Sequence, residues 1–413
     1  MRRYRRGLKP AVLAGCGSLV RYPRSMRLLP VALIATACCF AAEDAPLREL
    51  VDQVRDLEAQ IALIERSSVT APDRALLWAG ATRGLVAAAD PLGAYLTAEE
   101  VAVHGLGSDP LRVGLGLDWR RVGERVLVTR VVPNSPAAAA GIHVGCAILA
   151  VDGVQADAGV HFSEALGRGG ERKKLKLRLS DGSTPELEIT RAELADDGLA
   201  VVAEAGPGLV HLRLGRFLPA VDSEAAATVT ATAVQSALAS RPDLRAVILD
   251  LRGCAGGNLQ AAVEIAAGWL PVGAAVIEQV GREPARSRAW SATVARLPDV
   301  PVVVLIDGAT ASSAEVLAHA LRRVRRSPVI GTPSLGKWSV QQLFLLPRGD
   351  AMLLTVAQLR PPGGAALVGP LQPDVVVAQD LDATWRSWAG AGSDVQLARA
   401  IELATALAIG KPR

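Results

Sequence analysis

The sequence has few aromatic residues and few cysteines. Aromatic side chains make up 3% of the 413 residues and hydrophobic residues 50%, so a core must be built mainly from Ala, Val and Leu. Three of the five cysteines (Cys16, Cys38 and Cys39) lie within the first 42 residues. The other two, Cys146 and Cys254, are too few and too far apart for a disulfide framework or a zinc site, so we expect two small buried thiols.

Acidic residues are absent from the N-terminal segment. Residues 1–42 contain eight basic residues and no acidic one, although the whole chain has a formal net charge of only +4. The remainder carries 37 of the 45 basic side chains and all 41 acidic ones. Because the positive balance comes from this segment alone, the charge predicts no nucleic-acid partner.

That segment has the pattern of a secretory signal peptide. From Met26, one basic residue is followed by a short apolar run and then by small residues, a run too short to span a bilayer comfortably. We predict a leader over residues 1–42, beginning at Met26 or at the first residue and cleaved near Ala41 or Ala42. Lipidation of Cys38 is the less favoured alternative, because the position three residues before it holds alanine instead of a large aliphatic residue.

The rest of the chain divides into four regions: a helical region over 43–108, a β-rich domain over 109–195, an α/β core over 196–378 and a helical segment over 379–413. Apolar residues recur at helical spacing over 47–65, and a second helix is predicted over 72–88, before Asp90-Pro91. The closing helix is predicted over 394–408.

The α/β core is indicated by continuous apolar runs over 246–251 and 301–306, as expected for strands of a sheet that is covered on both faces. Each run is followed by a helical pattern, over 259–270 and over 314–323. In the β-rich domain, short alternating runs are separated by glycine and proline turns. The lysines at 173, 174 and 176 are interpreted there as a solvated strand face.

Ser312 is the strongest candidate for a chemical role. It lies between the buried strand and the helix that follows, where free N–H groups at the helix N-terminus favour developing negative charge. The alternative is that Ser312 or Ser313 is simply the N-cap of that helix.

A serine nucleophile needs a base. His319 lies two turns further along the same helix, about 10 Å away, and the other four histidines fall in unrelated segments, so no His–Asp pair is predicted. Lys337 is the better candidate, because it is the one lysine between Lys176 and Lys411 in a chain with 39 arginines and six lysines. Arginine cannot deprotonate, whereas burial can lower the pKa of a lysine. The alternative is an ordinary surface lysine.

With these residues the chain resembles the C-terminal processing peptidases, also called tail-specific proteases, from about Asp90 to the terminal helix. Ser312 and Lys337, 25 positions apart, match the family's nucleophile and general base, and Gln341 matches the glutamine that orients the lysine. The resemblance implies a mixed α/β fold with a ClpP/crotonase-like core, and a reaction that requires no metal or cofactor.

Three further stretches support the resemblance. Residues 248–257 resemble the family's glycine-rich turn, which implies an oxyanion hole formed by the N–H of Ser313 and that of Gly256 or Gly257. Residues 370–375 and 394–397 resemble its closing signatures.

Residues 113–160 resemble a PDZ domain, with Gly114, Leu115, Gly116 and Leu117 in the carboxylate-binding loop. A PDZ domain binds a peptide C-terminus by strand addition, so the resemblance implies capture of a substrate tail. The alternative is a small β domain with glycine turns.

The chain departs from the family pattern in four places. Cys146 replaces an aspartate of the PDZ signature, Cys254-Ala255 replaces Asn-Pro in the glycine turn, Trp338 replaces a small residue, and the stretch after Asp90 lacks the usual His-Ser. We expect Trp338 to crowd the base and Cys254 to lie beside the oxyanion hole, with effects on rate and specificity. Cys254 itself has no base placed for it.

The sequence therefore predicts a serine endopeptidase with a Ser–Lys dyad that cleaves proteins near their C-termini. Its expected partners are protein or peptide substrates that are bound by their C-terminal tails. An adaptor protein and a second copy of the chain are further partners that the sequence leaves open. A periplasmic or envelope location follows from the leader and the resemblance. Two rivals are a PDZ-bearing adaptor that has lost activity and a lipid- or retinoid-binding protein on the same core.

Overall fold

The computed structural model describes most of the chain after the predicted leader, in twelve ranges: 45–103, 113–122, 125–132, 135–156, 172–179, 182–194, 200–215, 217, 223–239, 241–293, 297–379 and 393–410. These residues form two compact units. The smaller contains the described residues up to 101 together with 343–355, and the larger contains the rest. None of the helices in the described ranges is both long and apolar enough to cross a membrane.

The smaller unit contains the two predicted helices, α1 (Ala45–Ser67) and α2 (Arg74–Ala89). The carboxylate of Asp73 caps α2 by accepting from the N–H of Ala75, and Asp90 follows its last residue. The chain then forms a strand, β1 (Ala94–Leu96), and begins α3 (Ala98–Val103). The prediction that residues 43–108 are helical is therefore wrong at β1.

That short strand is formed by long-range pairing. Ala94 lies opposite Leu353 in an antiparallel ladder, and the Asp90 carboxylate accepts from Thr355 N at 2.6 Å and from its hydroxyl at 3.2 Å. Three residues whose partners are some 250 positions away leave no local pattern from which a strand could be inferred.

The β-rich domain lies in the larger unit. Its elements are β2 (Val113–Gly114), β3 (Leu117–Val122), β4 (Arg125–Val131), α4 (Pro136–Ala139), β5 (Ala147–Val151), β6 (Val154–Gln155), β7 (Arg172–Arg178), β8 (Glu186–Thr190) and β9 (Ala192–Glu193). One sheet has the order β3-β4-β5-β7-β8 with β6 beside β5, and β2 pairs with β9. Cys146 is buried in the core of this domain, as predicted for a small thiol.

The lysine-rich strand differs from the prediction. Exposure alternates strictly along β7, with Lys174 and Lys176 exposed but Lys173 only 4% exposed. The ammonium of Lys173 donates to the carboxylate of Asp152 at 2.9 Å, so one of the three lysines lies on the buried face and is paired there.

The core of the larger unit is a six-stranded sheet with helices on both faces. Its elements are β10 (Ala200–Gly206), β11 (Leu209–Leu214), α5 (Ser223–Ala239), β12 (Ala246–Asp250), α6 (Leu259–Trp269), β15 (Val302–Ile306), α7 (Ser313–Arg325), β16 (Val329–Gly331), β19 (Val375–Val376) and α8 (Val395–Gly410). The strand order is β10-β11-β12-β15-β16-β19, antiparallel for the first pair and parallel for the others.

Alternate residues of the central strands face two separate cores. Val247, Leu249 and Val304 pack with α6 and α7, whereas Ile248 and Val303 pack against the closing helix α8. Every residue of β12 and β15 is buried. The continuous apolar runs in the sequence are thus confirmed as central strands covered on both faces.

Four further strands are β13 (Ala275–Gly281), β14 (Arg288–Ser291), β17 (Ser339–Leu345) and β18 (Ala351–Arg360). In the larger unit, β13 pairs antiparallel with β14 and with the end of β18, where Glu278 lies opposite Arg360.

Candidate active site

The predicted site residues lie in three loops that follow three neighbouring parallel strands. Residues 251–258 follow β12, residues 307–312 follow β15, and residues 332–338 follow β16. Because the carboxyl ends of parallel strands meet at one edge of a sheet, these loops come together there. The fold alone thus gathers the glycine turn, the serine and the lysine.

Ser312 stands at the sharp turn between β15 and α7. Its backbone torsions are φ 58° and ψ −125°, a region that side-chain-bearing residues rarely occupy, and it is half-buried. An ordinary N-cap residue has extended torsions. Ser312 therefore occupies the N-cap position with the strained strand–turn–helix backbone typical of an exposed nucleophile.

Glu315 holds this turn in place. Its carboxylate oxygen Oε2 accepts from the N–H of Ser312 at 2.7 Å and from the N–H of Lys337 at 2.9 Å, and Oε1 accepts from the N–H of Gly336 at 2.8 Å and from the hydroxyl of Ser334. Glu315 is fully buried, and these four donors satisfy the hydrogen-bonding capacity of its two carboxyl oxygens. One carboxylate thus joins the serine loop to the lysine loop.

The role of Glu315 was missed at the sequence level. The local signal was present, since a serine followed three residues later by a glutamate is the spacing of a capping box. The second half of its role, binding the loop 21 and 22 residues further along the chain, could not be read from that spacing.

Lys337 lies at the end of the third loop with its ammonium group directed at Gln341. Nζ donates to Oε1 of Gln341 at 2.7 Å, and both residues are half-buried. The predicted pairing of these two side chains is thus present. Lys337 is thus half-buried and hydrogen-bonded, which differs from the alternative of an ordinary surface lysine.

The glycine turn approaches Ser313 closely. A Cβ atom added at Gly256 would lie 2.9 Å from the backbone N of Ser313 and 2.6 Å from the carbonyl oxygen of Ala311, and Gly256 has a φ of +84°. Only glycine fits both restrictions. The N–H of Ser313 belongs to the first turn of α7 and has no partner within that helix. The backbones of Gly256 and Ser313, two of the three residues proposed to supply oxyanion donors, are thus in close contact.

The glycine turn and the serine loop are also bonded directly. The N–H of Ala311 donates to the carbonyl of Cys254 at 2.9 Å, and the hydroxyl of Thr310 donates to the carbonyl of Leu251 at 2.8 Å. Cys254 is fully buried, as expected for a small thiol, and forms no disulfide. Its side chain belongs to the core.

The side chain of Asp307 also joins the glycine turn to the serine loop. Its Oδ1 accepts from the N–H groups of Gly253, Ala309 and Thr310 at 2.9 to 3.0 Å. Burial of this carboxyl raises its pKa despite these hydrogen bonds.

A buried ion network anchors the glycine turn to the closing helix. Arg252 forms two hydrogen bonds with the carboxylate of Asp250 and two with that of Asp394, and it also donates to Gln396. Burial disfavours ionisation of Asp250, but the charge of Arg252 and hydrogen bonds from Arg252 and His211 outweigh it, so the pKa of Asp250 lies well below its usual value. Two stretches noted in the sequence, 248–257 and 394–397, are thus parts of one network.

The network includes a His–Asp pair that the sequence did not predict. Nε2 of His211 lies 2.9 Å from Oδ2 of Asp250. In their strands, these two residues alternate with those that pack against α6 and α7, so they lie on the α8 face of the sheet. Ser312 precedes a helix on the opposite face, which makes the pair part of the Arg252 network instead of a catalytic triad.

The side chain of Trp338, which the sequence predicted to crowd the base, makes its contacts with Gly369 and His319. This side chain is 4% exposed, its indole N–H donates to the carbonyl of Gly369 at 2.8 Å, and its ring lies edge-on to His319 with centroids 6.0 Å apart. The indole is therefore accommodated in the core.

The PDZ-like loop contains the four predicted residues at the junction of β2 and β3. The carbonyl of Leu115 accepts from the N–H of Ala137, and that of Gly116 accepts from the N–H of Val132 and the hydroxyl of Ser135. These carbonyls are thereby fixed inside the domain. Gly114 begins the loop and Leu117 begins β3.

Two family models match the chain. The model of peptidase family S41 matches residues 212–377 and that of the PDZ domain matches residues 107–176. A carboxy-terminal-processing protease of Bartonella bacilliformis is 30% identical over 327 residues, which cover 78% of this chain and 74% of that protein. A carboxyl-terminal-processing protease of Picosynechococcus sp. is 31% identical over 327 residues, covering 76% of each.

A solved structure shares the fold. The structure of a photosystem II D1 C-terminal processing protease superposes with a TM-score of 0.51 at 24% identity, over 82% of this chain and 91% of that one. At this identity the likeness concerns the architecture of the core and its added domain.

Proposed function

Because this chain belongs to the carboxyl-terminal processing proteases of peptidase family S41, and is therefore a serine peptidase, we propose that it hydrolyses proteins near their C-termini with Ser312 as nucleophile and Lys337 as general base. Gln341 orients the lysine in this proposal. The N–H of Ser313 and that of Gly256 or Gly257 form the oxyanion hole.

The observation that carries the proposal is the joint anchoring of serine and lysine by Glu315. The two N–H groups donate to one carboxylate oxygen at 2.7 and 2.9 Å, so both backbones are held against a single atom. A nucleophile and its base must be held in a fixed relation to act together. The strained backbone of Ser312 is a second observation in the same direction.

Acylation follows from these positions. Neutral Lys337 takes the proton from the Ser312 hydroxyl as Oγ bonds to the carbonyl carbon of the scissile peptide. The negative charge on the carbonyl oxygen is stabilised by N–H groups at Ser313 and the glycine turn. The peptide C–N bond then breaks, its nitrogen receives the proton from Lys337, and the tail-side fragment leaves as a free amine.

Deacylation uses the same groups. A water molecule attacks the ester carbon while Lys337 takes one of its protons, and the oxyanion again lies near Ser313. When the Ser312–carbon bond breaks, Oγ regains a proton from Lys337. The products are a new carboxyl terminus and the unchanged enzyme.

We assign capture of the substrate tail to the loop Gly114-Leu115-Gly116-Leu117. In this role, N–H groups of the loop bind the terminal carboxylate and the tail adds as a strand. The partners are therefore proteins with accessible C-termini. An adaptor protein and self-association are further proposals, and the leader-like residues 1–42 lead us to propose export to the periplasm or cell envelope.

The test is a peptide library varied at the C-terminus, incubated with the mature protein and with Ser312→Ala, Lys337→Ala and Lys337→Arg variants. We expect cleavage by the wild type and by none of the three. Lys337→Arg keeps the positive charge but cannot accept the proton, so its inactivity identifies the proton-transfer role. Lys176→Ala, which removes an exposed lysine of β7, is the control and should cleave normally.

Labelling with a fluorophosphonate distinguishes an active peptidase from the rival function, an inactive adaptor. In an active serine hydrolase, Oγ of Ser312 bonds to the phosphorus of the probe and displaces fluoride, whereas an inactive adaptor is not labelled. Tail binding without labelling or cleavage would replace the peptidase proposal with the adaptor. Cleavage by Ser312→Ala at the wild-type rate would move the nucleophile elsewhere.

A further inference from the structure

The two residues that flank Lys337 both touch the segment Gly369–Leu371. On one side, the indole N–H of Trp338 donates to the carbonyl of Gly369 at 2.8 Å. On the other, a Cβ atom added at Gly336 would lie 2.6 Å from the carbonyl carbon of Gly369 and 2.8 Å from the nitrogen of Pro370, so the two backbones are in close contact there. The base therefore lies between two contacts with one segment.

A third contact holds the start of the lysine loop to the same segment. Ser334 N donates to the carbonyl of Leu371 at 3.1 Å, and Leu371 N donates to the hydroxyl of Ser334 at 2.7 Å. Glu315 binds this loop through three other donors. Among these contacts with Gly369–Leu371, the indole hydrogen bond is made by Trp338, the residue that directly follows Lys337 in the sequence.

Trp338 is itself held firmly. Its carbonyl accepts from the N–H of Leu359 at 2.8 Å, and its ring packs in the core against His319. Trp269 is buried to a similar degree, 3% against 4%, yet its indole N–H has no hydrogen-bond partner. The partnered N–H of Trp338 is thus not a general property of buried tryptophans in this core.

We propose that Trp338 is a positioning residue for the general base: its indole N–H, bound to the Gly369 carbonyl, fixes the backbone of Lys337 relative to Ser312. This rests on the proposed Ser–Lys dyad. The bulky residue at this position is then a device of this chain and not a sign of lost activity.

The expected effect follows from geometry. Trp338→Phe keeps an aromatic ring but removes the N–H, which leaves the Gly369 carbonyl without that donor and releases one of the contacts beside Lys337. Since a displacement of 1 Å at a reacting group can lower the rate by a factor of roughly 100, we expect kcat to fall by roughly tenfold. KM should not change, because the proposed tail-binding loop lies in the PDZ-like domain.

The experiment compares Trp338→Phe with Trp269→Phe, which makes the same change at an indole without a partner. Both are assayed with a tail peptide for kcat and KM and with a fluorophosphonate for the labelling rate of Ser312, below the lower of the two melting temperatures. A role of Trp338 confined to stability would lower the melting temperature of Trp338→Phe and leave its kcat equal to that of Trp269→Phe. The inference requires a lower kcat and slower labelling in Trp338→Phe only.

A second pair tests the opposite side of Lys337. Gly336→Ala forces the loop away from Gly369, whereas Gly363→Ala introduces the same strain of a positive φ at a site with no atom within 4 Å. We expect a lower kcat for Gly336→Ala alone. Equal kcat values within each pair, with Lys337→Ala inactive, would overturn the role of Trp338 and leave the dyad intact, whereas full activity of Lys337→Ala would overturn the dyad itself.

Discussion

The main-chain N–H groups of Ser312 and Lys337 bind the same atom, Oε2 of Glu315, at 2.7 and 2.9 Å. The two residues come from loops after different strands and are 25 positions apart in the sequence. Because both N–H groups share this acceptor, one buried carboxylate fixes the position of Ser312 relative to Lys337. The arrangement explains how a lysine on a loop can be placed accurately enough to serve a nucleophile on a strained turn.

Replacement of Glu315 by Gln tests that arrangement. A neutral amide offers one acceptor oxygen where the carboxylate offers two, and its NH₂ group must face either Ser312 and Lys337 or Gly336 and the hydroxyl of Ser334. Ser334 can turn to accept, but an N–H group cannot, so at least one backbone donor becomes unpaired at a cost of about 1–3 kcal/mol. We expect kcat to fall by roughly 10- to 100-fold, since positioning is lost in part.

The measurement combines peptide cleavage, fluorophosphonate labelling and urea unfolding. Glu264→Gln is the control, because that half-buried side chain on α6 accepts only from Gln260 among the described hydrogen bonds. Wild-type kcat in Glu315→Gln, at a reduced stability, would show that the carboxylate supports the fold without positioning the dyad.

The Arg252 network predicts a large and pH-dependent loss of stability in Asp250→Asn. Asp250→Asn removes one of the two carboxylates that pair with the buried guanidinium of Arg252 and leaves Asp394 as its partner, and the loss of these charge-assisted hydrogen bonds costs about 1.5–3 kcal/mol. The pKa of Asp250 is depressed in the folded state, so its contribution is complete above the unfolded-state pKa of about 4 and is lost as the pH falls below it.

Urea unfolding at neutral pH and at acidic pH measures this difference. The control is Glu402→Gln, which breaks an exposed ion pair with Arg399 and should cost less than about 1 kcal/mol at either pH. A stability difference for Asp250→Asn that does not shrink on acidification would contradict a depressed pKa.

The smaller unit allows a direct measurement of one ionisation. Burial and the hydrogen bond to Asp350, at 2.7 Å, raise the pKa of Tyr95 to about 12. The other two tyrosines, Tyr4 and Tyr22, lie within the predicted leader, so a protein prepared without residues 1–42 has one tyrosine to titrate. The neutral phenol is favoured by the fold, so its contribution to stability is complete below about pH 10 and is lost as the pH rises toward 12.

A spectrophotometric titration of the phenolate checks this value. Asp350→Asn removes the charge that opposes ionisation and should move the midpoint of the titration downward. A wild-type midpoint near 10, in protein that is still folded, would show that the hydroxyl is accessible to solvent.

The central strands and their following helices could be predicted because the information is local. Buried strands appear as continuous apolar runs, and the lysine stands out in a chain that otherwise uses arginine. Lys173 and the His211–Asp250 pair could not be predicted in this way. Each depends on a partner 21 or 39 residues away, across a turn or on a neighbouring strand. Neither segment alone determines the register that brings the two residues together.

The fit of Trp338 has the same explanation. From the sequence, a large side chain after the base could only be judged by its volume. The space for it is made by His319 of α7 and by the carbonyl of Gly369, which lie 19 residues before and 31 residues after it. Whether a bulky residue obstructs a site therefore depends on the space that residues distant in the sequence provide for it.

His319 gives a prediction that separates lysine from histidine as the base. Burial lowers its pKa to about 4, and the nearby Arg323 and Arg322 add to the effect. Its neutral form is favoured in the fold, so the stability it contributes is complete above about pH 6.5 and is lost as the pH falls toward 4. We expect no step in activity between pH 5 and 8 to arise from this residue.

The check is the pH profile of kcat in the wild type and in His319→Gln, together with the NMR titration of the imidazole. Both proteins should give profiles of the same shape over that range, and the imidazole should titrate near 4. A step in the wild-type profile that disappears in His319→Gln would indicate that His319 takes part in proton transfer.

The tail-binding loop is tested by a pair of glycine substitutions. A Cβ atom at Gly116 would lie 2.1 Å from Cβ of Ser135, and Gly116 has a φ of +79°. Gly141 has a φ of +75° but no atom within 4 Å of its Cβ position, so Gly141→Ala adds similar strain without the clash. Ser135 caps α4 by accepting from Ala138 N, so the clash displaces both the loop and the start of that helix.

We expect Gly116→Ala to raise KM for a tail peptide by roughly tenfold or more, which corresponds to about 1.4 kcal/mol of binding, and to leave kcat unchanged. Gly141→Ala should keep the wild-type KM. A peptide amidated at its C-terminus should bind the wild type as weakly as the free acid binds Gly116→Ala, because it lacks the carboxylate that the loop N–H groups would hold. Equal binding of acid and amide by the wild type would mean that substrates are recognised by their side chains and not by their free C-terminus, and the loop would then lose its proposed role.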